Sequence, residues 1–242
     1  MIEAIFYNYM REMLRQTPME FHRYLYDEIN WDNRLIGILG PRGVGKSTLL
    51  LQHIKALGAP RTHIFITAES LWFSEHTLLE FADSFSAMGG EYLYIDEIHK
   101  YKGWSRELKL IYDTHPALHV VFTGSSVLDI KKGESDLSRR VLLYKLEGMS
   151  FREYLMMKNN ISLPVFSLEQ IVNNEVDIPE IPLPLPAFHE YLQRGYYPFF
   201  NEDGYSVRLT QIVSQTVEVD IPIYANMQVS TARKLRQLLA VI

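Results

Sequence analysis

Short apolar runs alternate with segments of helical length through the middle of the chain. The apolar runs lie at residues 35–39, 64–67, 92–95, 120–123 and 141–144. The helical candidates between them lie at residues 46–56, 77–87, 104–114 and 127–136. Strands that alternate with helices are typical of βαβ units, whose crossover helices cover both faces of a parallel sheet. The pattern therefore predicts an α/β fold with a mostly parallel, five-stranded sheet.

The two flanks of this pattern are predicted to be helical. Residues 3–29 form one helical region divided at Pro18, and its candidate inward positions are Ile5, Met10, Met13, Leu14, Phe21, Leu25 and Ile29. Ser150 and Glu153 have the spacing of a capping box, which predicts a helix through about residue 157. Helices are also predicted near residues 186–194, 204–219 and 229–241.

Proline content suggests how these regions divide. Residues 159–186 contain prolines at 164, 179, 182, 184 and 186, which favours an extended or looped linker. We expect an N-terminal helical segment at 1–30, an α/β domain at 31–158, a proline-rich linker at 159–185 and the start of a helical domain at 186–242. Because residues 238–242 are apolar and lack a capping residue, we expect that C-terminal domain to continue beyond them.

Composition narrows the class of protein. The net charge is −5 and the pI about 5.9, whereas a protein whose main task is to wrap nucleic acid is usually basic. The chain contains no cysteine, which excludes disulfides and thiolate metal sites and fits a cytoplasmic location. No signal peptide is recognisable, and no stretch approaches the roughly 18 apolar residues of a membrane span. We therefore expect a cytoplasmic protein without membrane contact.

The first apolar run leads directly into a phosphate-loop pattern. The sequence G-x-x-x-x-G-K-[ST] is matched in full by Gly40, Pro41, Arg42, Gly43, Val44, Gly45, Lys46 and Ser47. Glycines let the backbone curl so that successive N–H groups point at one anion, and the following helix directs its positive end there. Lys46 would reach the β- and γ-phosphates, Ser47 would ligate Mg²⁺, and Thr48 is a weaker candidate for the α-phosphate. The alternative is a glycine-rich turn with an incidental lysine.

The third apolar run ends in two carboxylates, Asp96 and Glu97. In an open parallel sheet these would lie at the same edge as the phosphate loop. Asp96 would then hold Mg²⁺ through its water shell, and Glu97 would polarise the water that attacks the γ-phosphate. By composition alone an acidic pair after a strand is more often a solvated loop; the preceding phosphate loop favours the site.

Three further features have two readings each. A hydroxyl within residues 123–126 would sense the γ-phosphate, although Ser126 would equally cap the next helix. Arg139 or Arg140 would complete a neighbouring subunit's site in trans, or would form a solvated basic turn that balances Asp129, Glu134 and Asp136. His99 would relay a signal or would be a structural residue.

Together these motifs resemble the AAA+ class of P-loop ATPases. More narrowly, the chain is similar to a prokaryotic group whose ATPase is joined to a C-terminal domain of unknown function. The resemblance covers nearly the whole chain, and the segments that carry it are residues 40–50, 94–100 with Trp104, 123–126 and 146–154. Ser138 precedes the arginines where the group usually has glycine, and residues 195–198 read Gly-Tyr-Tyr-Pro in place of Gly-Gly-Tyr/Phe-Pro.

The resemblance implies a sheet order of 5-1-4-3-2, a metal site at Asp96 and a water-polarising role for Glu97. It further implies Ser125 as the sensor, Arg140 as the arginine finger, and ATP with Mg²⁺ as ligands. A homo-oligomer, and a protein or DNA partner bound through a longer C-terminal part, are the implied partners besides nucleotide.

The leading hypothesis is an ATPase that hydrolyses Mg·ATP to ADP and phosphate as a slow nucleotide-dependent switch. A module that binds nucleotide without hydrolysis is the first alternative, although such a binder does not need Glu97. A small-molecule phosphotransferase is the second alternative. Such an enzyme usually needs an arginine-rich lid, and Arg139 with Arg140 is the only arginine-rich segment after the acidic pair.

Overall fold

A single parallel sheet organises the computed structural model, which describes residues 2–125, 137–222 and 229–239. The strands are β1 (Leu35–Gly40), β2 (His63–Thr67), β3 (Tyr92–Asp96), β4 (His119–Ser125) and β5 (Leu142–Lys145). All four strand pairings are parallel, and the order across the sheet is β2-β3-β4-β1-β5. This confirms the predicted fold class and strand order. The helix predicted at 127–136 lies outside the described residues.

Helices of the described residues surround the sheet and extend beyond it. They are α1 (Ile2–Gln16), α2 (Leu25–Glu28), α3 (Lys46–Ala56), α4 (Leu78–Ala87), α5 (Trp104–Thr114), α6 (Phe151–Asn159), α7 (Leu168–Val172), α8 (Pro184–Arg194), α9 (Tyr205–Gln215) and α10 (Val229–Leu239). Short 3-10 turns lie at Leu71–Ser74 and Ile98–Lys100, and a π-turn at Thr216–Asp220 continues α9.

Capping boxes start three of these helices. Ser150 and Glu153 cap α6 as their spacing predicts. Thr77 with Glu80 caps α4, and Ser167 with Gln170 caps α7. Helix α7 lies inside the segment expected to be extended or looped. The Ser-x-x-Gln spacing, which satisfies two backbone N–H groups, is the local signal that the proline count obscured.

The first helix lies along the edge strand β2. Its buried residues are Phe6, Met10 and Leu14, spaced by four. Ile5 was predicted to point inward, but its side chain is 65% exposed. The prediction is wrong because the inward face of the helix begins at Phe6, one residue later, and continues at every fourth residue. Phe6 contacts the aromatic rings of Trp72 and Phe81.

The sheet divides the core into two apolar layers. Alternate residues of each strand point to opposite faces, as the strand pleat requires. One layer packs β-strand residues against α4 and α5, and it includes Leu35, Ile64, Leu93, Val120 and Phe122. The other packs them against α3 and includes Ile36, Phe65, Tyr94 and Val121.

The C-terminal helices form a third apolar cluster beside the sheet. It joins α6 to the turn before α9 through Met149, Tyr154, Leu155, Phe199, Phe200 and Tyr205. Several large apolar side chains of this region stay exposed, among them Leu168, Val172 and Leu185. Within the described residues, no helix combines the length and the apolarity that crossing a membrane requires.

Candidate functional site

The phosphate-loop sequence forms the connection between β1 and α3. Gly43 and Gly45 have φ angles of 83° and 98°, a region that side chains other than glycine rarely adopt. Gly40 also needs to be glycine, because a Cβ there would lie 2.1 Å from the carbonyl oxygen of Leu146. The loop is therefore tightly curled, and its base approaches the chain that follows β5.

The Lys46 ammonium group lies inside this curl. Its Nζ donates hydrogen bonds of 2.9 Å to the carbonyl oxygens of Gly40 and Pro41, and the residue is 6% exposed. Burial lowers the pKa of Lys46, while the nearby carboxylates of Glu97 and Asp96 act in the opposite direction. An ammonium group and two carboxyl groups thus meet at the carboxyl edge of the sheet.

Thr123 organises the acidic pair. Its hydroxyl donates to Asp96 Oδ1 at 2.5 Å and accepts the backbone N–H of Glu97 at 2.9 Å. The side chain of Ser47 also hydrogen-bonds the Asp96 carboxylate. Burial raises the pKa of Asp96, and the hydrogen bonds from Thr123 and Ser47 oppose that shift. The two residues predicted to hold Mg²⁺ are therefore neighbours, and their hydroxyl and carboxylate oxygens fit the hard ligands that this ion prefers.

Glu97 has an unusual backbone and two polar neighbours. Its φ angle is 55°, an uncommon conformation for a residue with a side chain. Its Oε2 lies 3.7 Å from an Arg42 nitrogen and 3.5 Å from His99 Nε2. Burial lowers the pKa of His99 to about 4, so the ring is neutral near pH 7 and its contact with Glu97 is polar rather than ionic.

The C-terminal region reaches the same loop. An Arg42 nitrogen lies 3.9 Å from Asp220 Oδ1, and the Asp220 side chain on the π-turn is 5% exposed. A Cβ on Gly43 would lie 3.0 Å from Ile212 and 3.1 Å from Phe199. Arg42 thus lies between Glu97 and a carboxylate far along the chain. No local sequence signal predicts this contact, because only the folding of α9 onto the loop creates it.

The remaining predicted residues fall in different places. Ser125 ends β4 and is in register with Gly40, so it lies at the base of the phosphate loop. Thr48 is in the first turn of α3 and is partly buried. The predicted alternative for Ser126 lies outside the described residues.

Arg139 and Arg140 lie at the opposite, amino edge of the sheet. Arg140 Nε is 3.0 Å from Asp113 Oδ1, and its guanidinium carbon is 5.9 Å from the centre of the Tyr112 ring. Asp113 thus pairs with Arg140, whereas the acidic residues suggested as partners lie outside the described residues. A strand of five or six residues spans about 17–20 Å, so these arginines are far from the phosphate loop of their own chain.

Sequence reasoning missed two side chains of this site and undervalued a third. Asp220 and the buried Arg23, which donates to the Val44 carbonyl oxygen, were not singled out. Thr123 was one of several hydroxyls considered at the end of β4, where its position at the carboxyl end of a central strand was the available signal.

The part of the chain that contains the sheet and the candidate site also matches a known protein family. The family model described as an AAA domain matches residues 32–155. An uncharacterised protein of Methanocaldococcus jannaschii is 30% identical, and the match covers 70% of this chain and 41% of that protein. The chain therefore spans less than half the length of this relative.

Several solved structures resemble this chain at low sequence identity and low TM-score. DnaA of Aquifex aeolicus bound to AMPPCP has 17% identity and a TM-score of 0.41, covering 92% of this chain and 75% of that one. RuvB of Thermotoga maritima has 16% identity and a TM-score of 0.41, covering 85% and 62%. PCH-2 of C. elegans has 20% identity and a TM-score of 0.36, covering 73% and 49%. At these TM-scores the likenesses carry no argument about ligands or partners.

Proposed function

Because the chain belongs to the AAA-domain family of ATPases, we propose that it binds Mg·ATP and hydrolyses it to ADP and phosphate. The observation that carries this proposal is the meeting of Lys46, Ser47 and Asp96 at one loop. A phosphate oxygen entering the curl would replace the loop carbonyls as partners of the Lys46 ammonium. Bound Mg²⁺, held by Ser47 and Asp96, would neutralise charge on the phosphates.

Glu97 is the proposed base of the reaction. Its carboxylate projects from a strand end beside the metal ligands, where it would orient and polarise the attacking water. Thr123 supports this role by fixing the Glu97 backbone and the Asp96 carboxylate with one hydroxyl. Ser125, in register with Gly40, is the proposed γ-phosphate sensor.

We further propose that the C-terminal helices read the nucleotide state and that turnover is slow. Phe199 and Ile212 lie against Gly43, and Asp220 shares Arg42 with Glu97. A γ-phosphate near Arg42 would compete with both carboxylates for the guanidinium. Nucleotide binding would thereby change the contact between the loop and α9.

An arginine from another copy is part of the proposal. Arg140, or Arg139 beside it, is at the amino edge of its own sheet, so it would act on a neighbouring subunit's nucleotide in trans. The proposed preference for ATP over GTP is supported by the family resemblance. A protein or DNA partner of a longer chain, and a cytoplasmic location, stay predictions.

The test is phosphate release and nucleotide binding with Mg·ATP for the wild type, Lys46→Ala and Glu97→Gln. We expect Lys46→Ala to lose binding and Glu97→Gln to bind while turnover falls about 10²–10⁴-fold. Glu91→Gln, which changes an exposed glutamate just before the same strand, is the matched control that should keep both properties.

Two outcomes would contradict the proposal in different ways. Failure of the wild type to bind any nucleotide would remove it altogether. Tight binding by the wild type, with no turnover in any variant or mixture of subunits, would replace hydrolysis by the alternative of a nucleotide-gated binding module.

A further inference from the structure

The segment before α2 is fastened to the phosphate-loop helix. Gln52 of α3 donates hydrogen bonds to the carbonyl oxygens of Pro18 and Phe21, at 2.9 and 2.8 Å. Lys55, one turn later, donates to the Thr17 carbonyl oxygen at 2.7 Å. The backbone that carries Arg23 is therefore held against α3, and Arg23 lies outside the residues that the family model matches.

Arg23 is a buried cation with an unusually complete set of acceptors. Its side chain is 4% exposed and faces Glu153, which is 7% exposed, with Nε and Oε1 2.8 Å apart. Its two terminal nitrogens donate to backbone carbonyl oxygens. Nη1 contacts Val44 at 2.6 Å, while Nη2 contacts Glu147 at 2.8 Å and Gly148 at 3.0 Å. The planar fork of a guanidinium can serve such divergent acceptors at once, which an ammonium on a flexible stem does poorly.

The contact with Val44 has a consequence for the loop. A peptide unit is planar and trans, so the carbonyl of Val44 and the N–H of Gly45 point in opposite directions. Because Arg23 binds that carbonyl oxygen, the Gly45 N–H is turned to the other side of the peptide. A cation at the carbonyl oxygen also polarises the peptide and strengthens its N–H as a donor.

We propose that Arg23 is a positioning residue for nucleotide binding, which holds the peptide between Val44 and Gly45 so that its N–H faces the phosphates. This inference rests on the proposed nucleotide-binding function. It adds a residue from the N-terminal segment to a site otherwise built from the sheet and α3. Glycine at 45 makes such a clamp useful, since a residue with φ of 98° and no side chain has little local restraint of its own.

Glu153 and the turn after β5 complete the clamp. The Glu153 carboxylate accepts N–H groups of Tyr24 at 3.0 Å and of Ser150 at 2.8 Å, so it is fixed independently of Arg23. The Met149 N–H donates to the Tyr196 carbonyl oxygen at 2.8 Å, which joins the same turn to the C-terminal helices. The guanidinium is thus held from two sides while its third side faces the loop.

The experiment compares Mg·ADP affinity, by calorimetry on the folded chain, for the wild type, Arg23→Lys and the double variant R23Q/E153Q. The double variant avoids leaving a buried carboxylate without its cation. We expect the dissociation constant of the double variant to rise about 10- to 100-fold, the range for losing a charged hydrogen bond. Arg23→Lys should weaken binding several-fold, because it keeps the charge without the fork.

A second readout separates positioning from folding. In isotope-labelled protein, the Gly45 amide proton should move downfield on addition of Mg·ADP, and this shift should shrink in the Arg23 variants. Arg34→Gln is the matched control: Arg34 also donates to two backbone carbonyl oxygens, of Tyr112 and His115, but at the amino edge of the sheet. It should lower stability and leave both the affinity and the Gly45 shift unchanged.

The outcomes distinguish this inference from the function on which it rests. If the wild type does not bind Mg·ADP, the proposed function fails first. If the wild type binds and either Arg23 variant has the same affinity and the same Gly45 shift, the positioning role is wrong and the function stands. An equal loss in Arg34→Gln would also overturn it, because the effect would then follow stability alone.

Discussion

The two edges of the sheet surround their polar side chains with different partners. At the carboxyl edge, Lys46 and Asp96 are held by hydrogen bonds, and the carboxyl groups of Asp96 and Glu97 lie near the Lys46 ammonium group. At the amino edge, aromatic rings stack across the strands. His63, Tyr92 and His119 occupy matching register positions on β2, β3 and β4.

The stacked rings of the amino edge form a continuous ladder. The centroid of Tyr92 lies 4.4 Å from that of His63 and 4.5 Å from that of His119, with nearly parallel planes. His53 of α3 stacks on Trp31 at 3.8 Å. Burial, with a smaller contribution from His63, lowers the pKa of His53 to about 4, so the ring is neutral near pH 7.

The difference shows that the two edges surround their ionisable side chains with different groups. The carboxyl edge has backbone N–H groups, hydroxyls and opposite charges that stabilise ions. Within the amino edge, the aromatic faces around His53 favour its uncharged ring, while Arg140 and Asp113 form an ion pair elsewhere at that edge. The proposed chemistry on an anionic substrate uses the first edge, whereas the ring stack of the second responds to pH through His53.

The largest expected effect is acid destabilisation through His53. Its folded pKa of about 4 lies below the ordinary value of 6.5, so its protonation favours the unfolded chain as the pH falls through that window. Lowering the pH from about 7 to 4.5 should cost about 2 to 3 kcal/mol of unfolding free energy from this group. His53→Phe, which keeps the ring stack, should remove that part of the pH dependence in urea unfolding.

His76→Phe is the matched control for this measurement. His76 also stacks on a tryptophan, Trp72, but its side chain is 43% exposed to water. The pH dependence of its variant should follow the wild type. An unchanged pH dependence in His53→Phe would show that the ring stack around His53 does not disfavour its charged form.

A smaller effect is expected from Thr123→Val at the carboxyl edge. The change keeps the shape of the side chain but leaves the partly buried Glu97 N–H and the Asp96 carboxylate without their shared hydroxyl. We expect a loss of about 1 to 2 kcal/mol in stability and roughly a tenfold fall in phosphate release. Thr62→Val, whose hydroxyl lies 3.1 Å from His63 at the amino edge, should leave phosphate release unchanged. Equal rates in Thr123→Val and the wild type would remove Thr123 from the site.

The smallest effect is expected at one of two glycines that have the same φ angle. Gly43 at the phosphate loop and Gly89 at the amino edge both have φ of 83°. Each change to alanine should cost about 1 kcal/mol from backbone strain. A Cβ at Gly89 meets nothing within 4 Å, whereas at Gly43 it presses on Ile212 and Phe199. Only Gly43→Ala should therefore weaken Mg·ATP binding; an equal loss in Gly89→Ala would mean that the loop is not specially sensitive.

Much of the fold followed from local sequence patterns. The apolar runs predicted all five strands to within two residues at each end, and helices α3 and α5 have their predicted bounds. The phosphate-loop pattern and the acidic pair could be found because each depends on neighbouring residues at the end of a strand. The capping box at Ser150 and Glu153 is local in the same sense.

Contacts between distant segments were decided by the tertiary structure. Arg23 meets Val44, Arg42 meets Asp220, and Arg140 meets Asp113 only after helices and strands have packed. Periodicity also failed for Ile5, since the choice of the inward face of α1 depends on which rings its neighbours present. The sequence by itself determined where this chain can curl around an anion, because that needs only glycines, a strand and a helix in succession. Tertiary packing decided which distant side chains hold the loop in place. A single hydrogen-bonding side chain leaves no recognisable pattern in the sequence, because its partners lie far away along the chain.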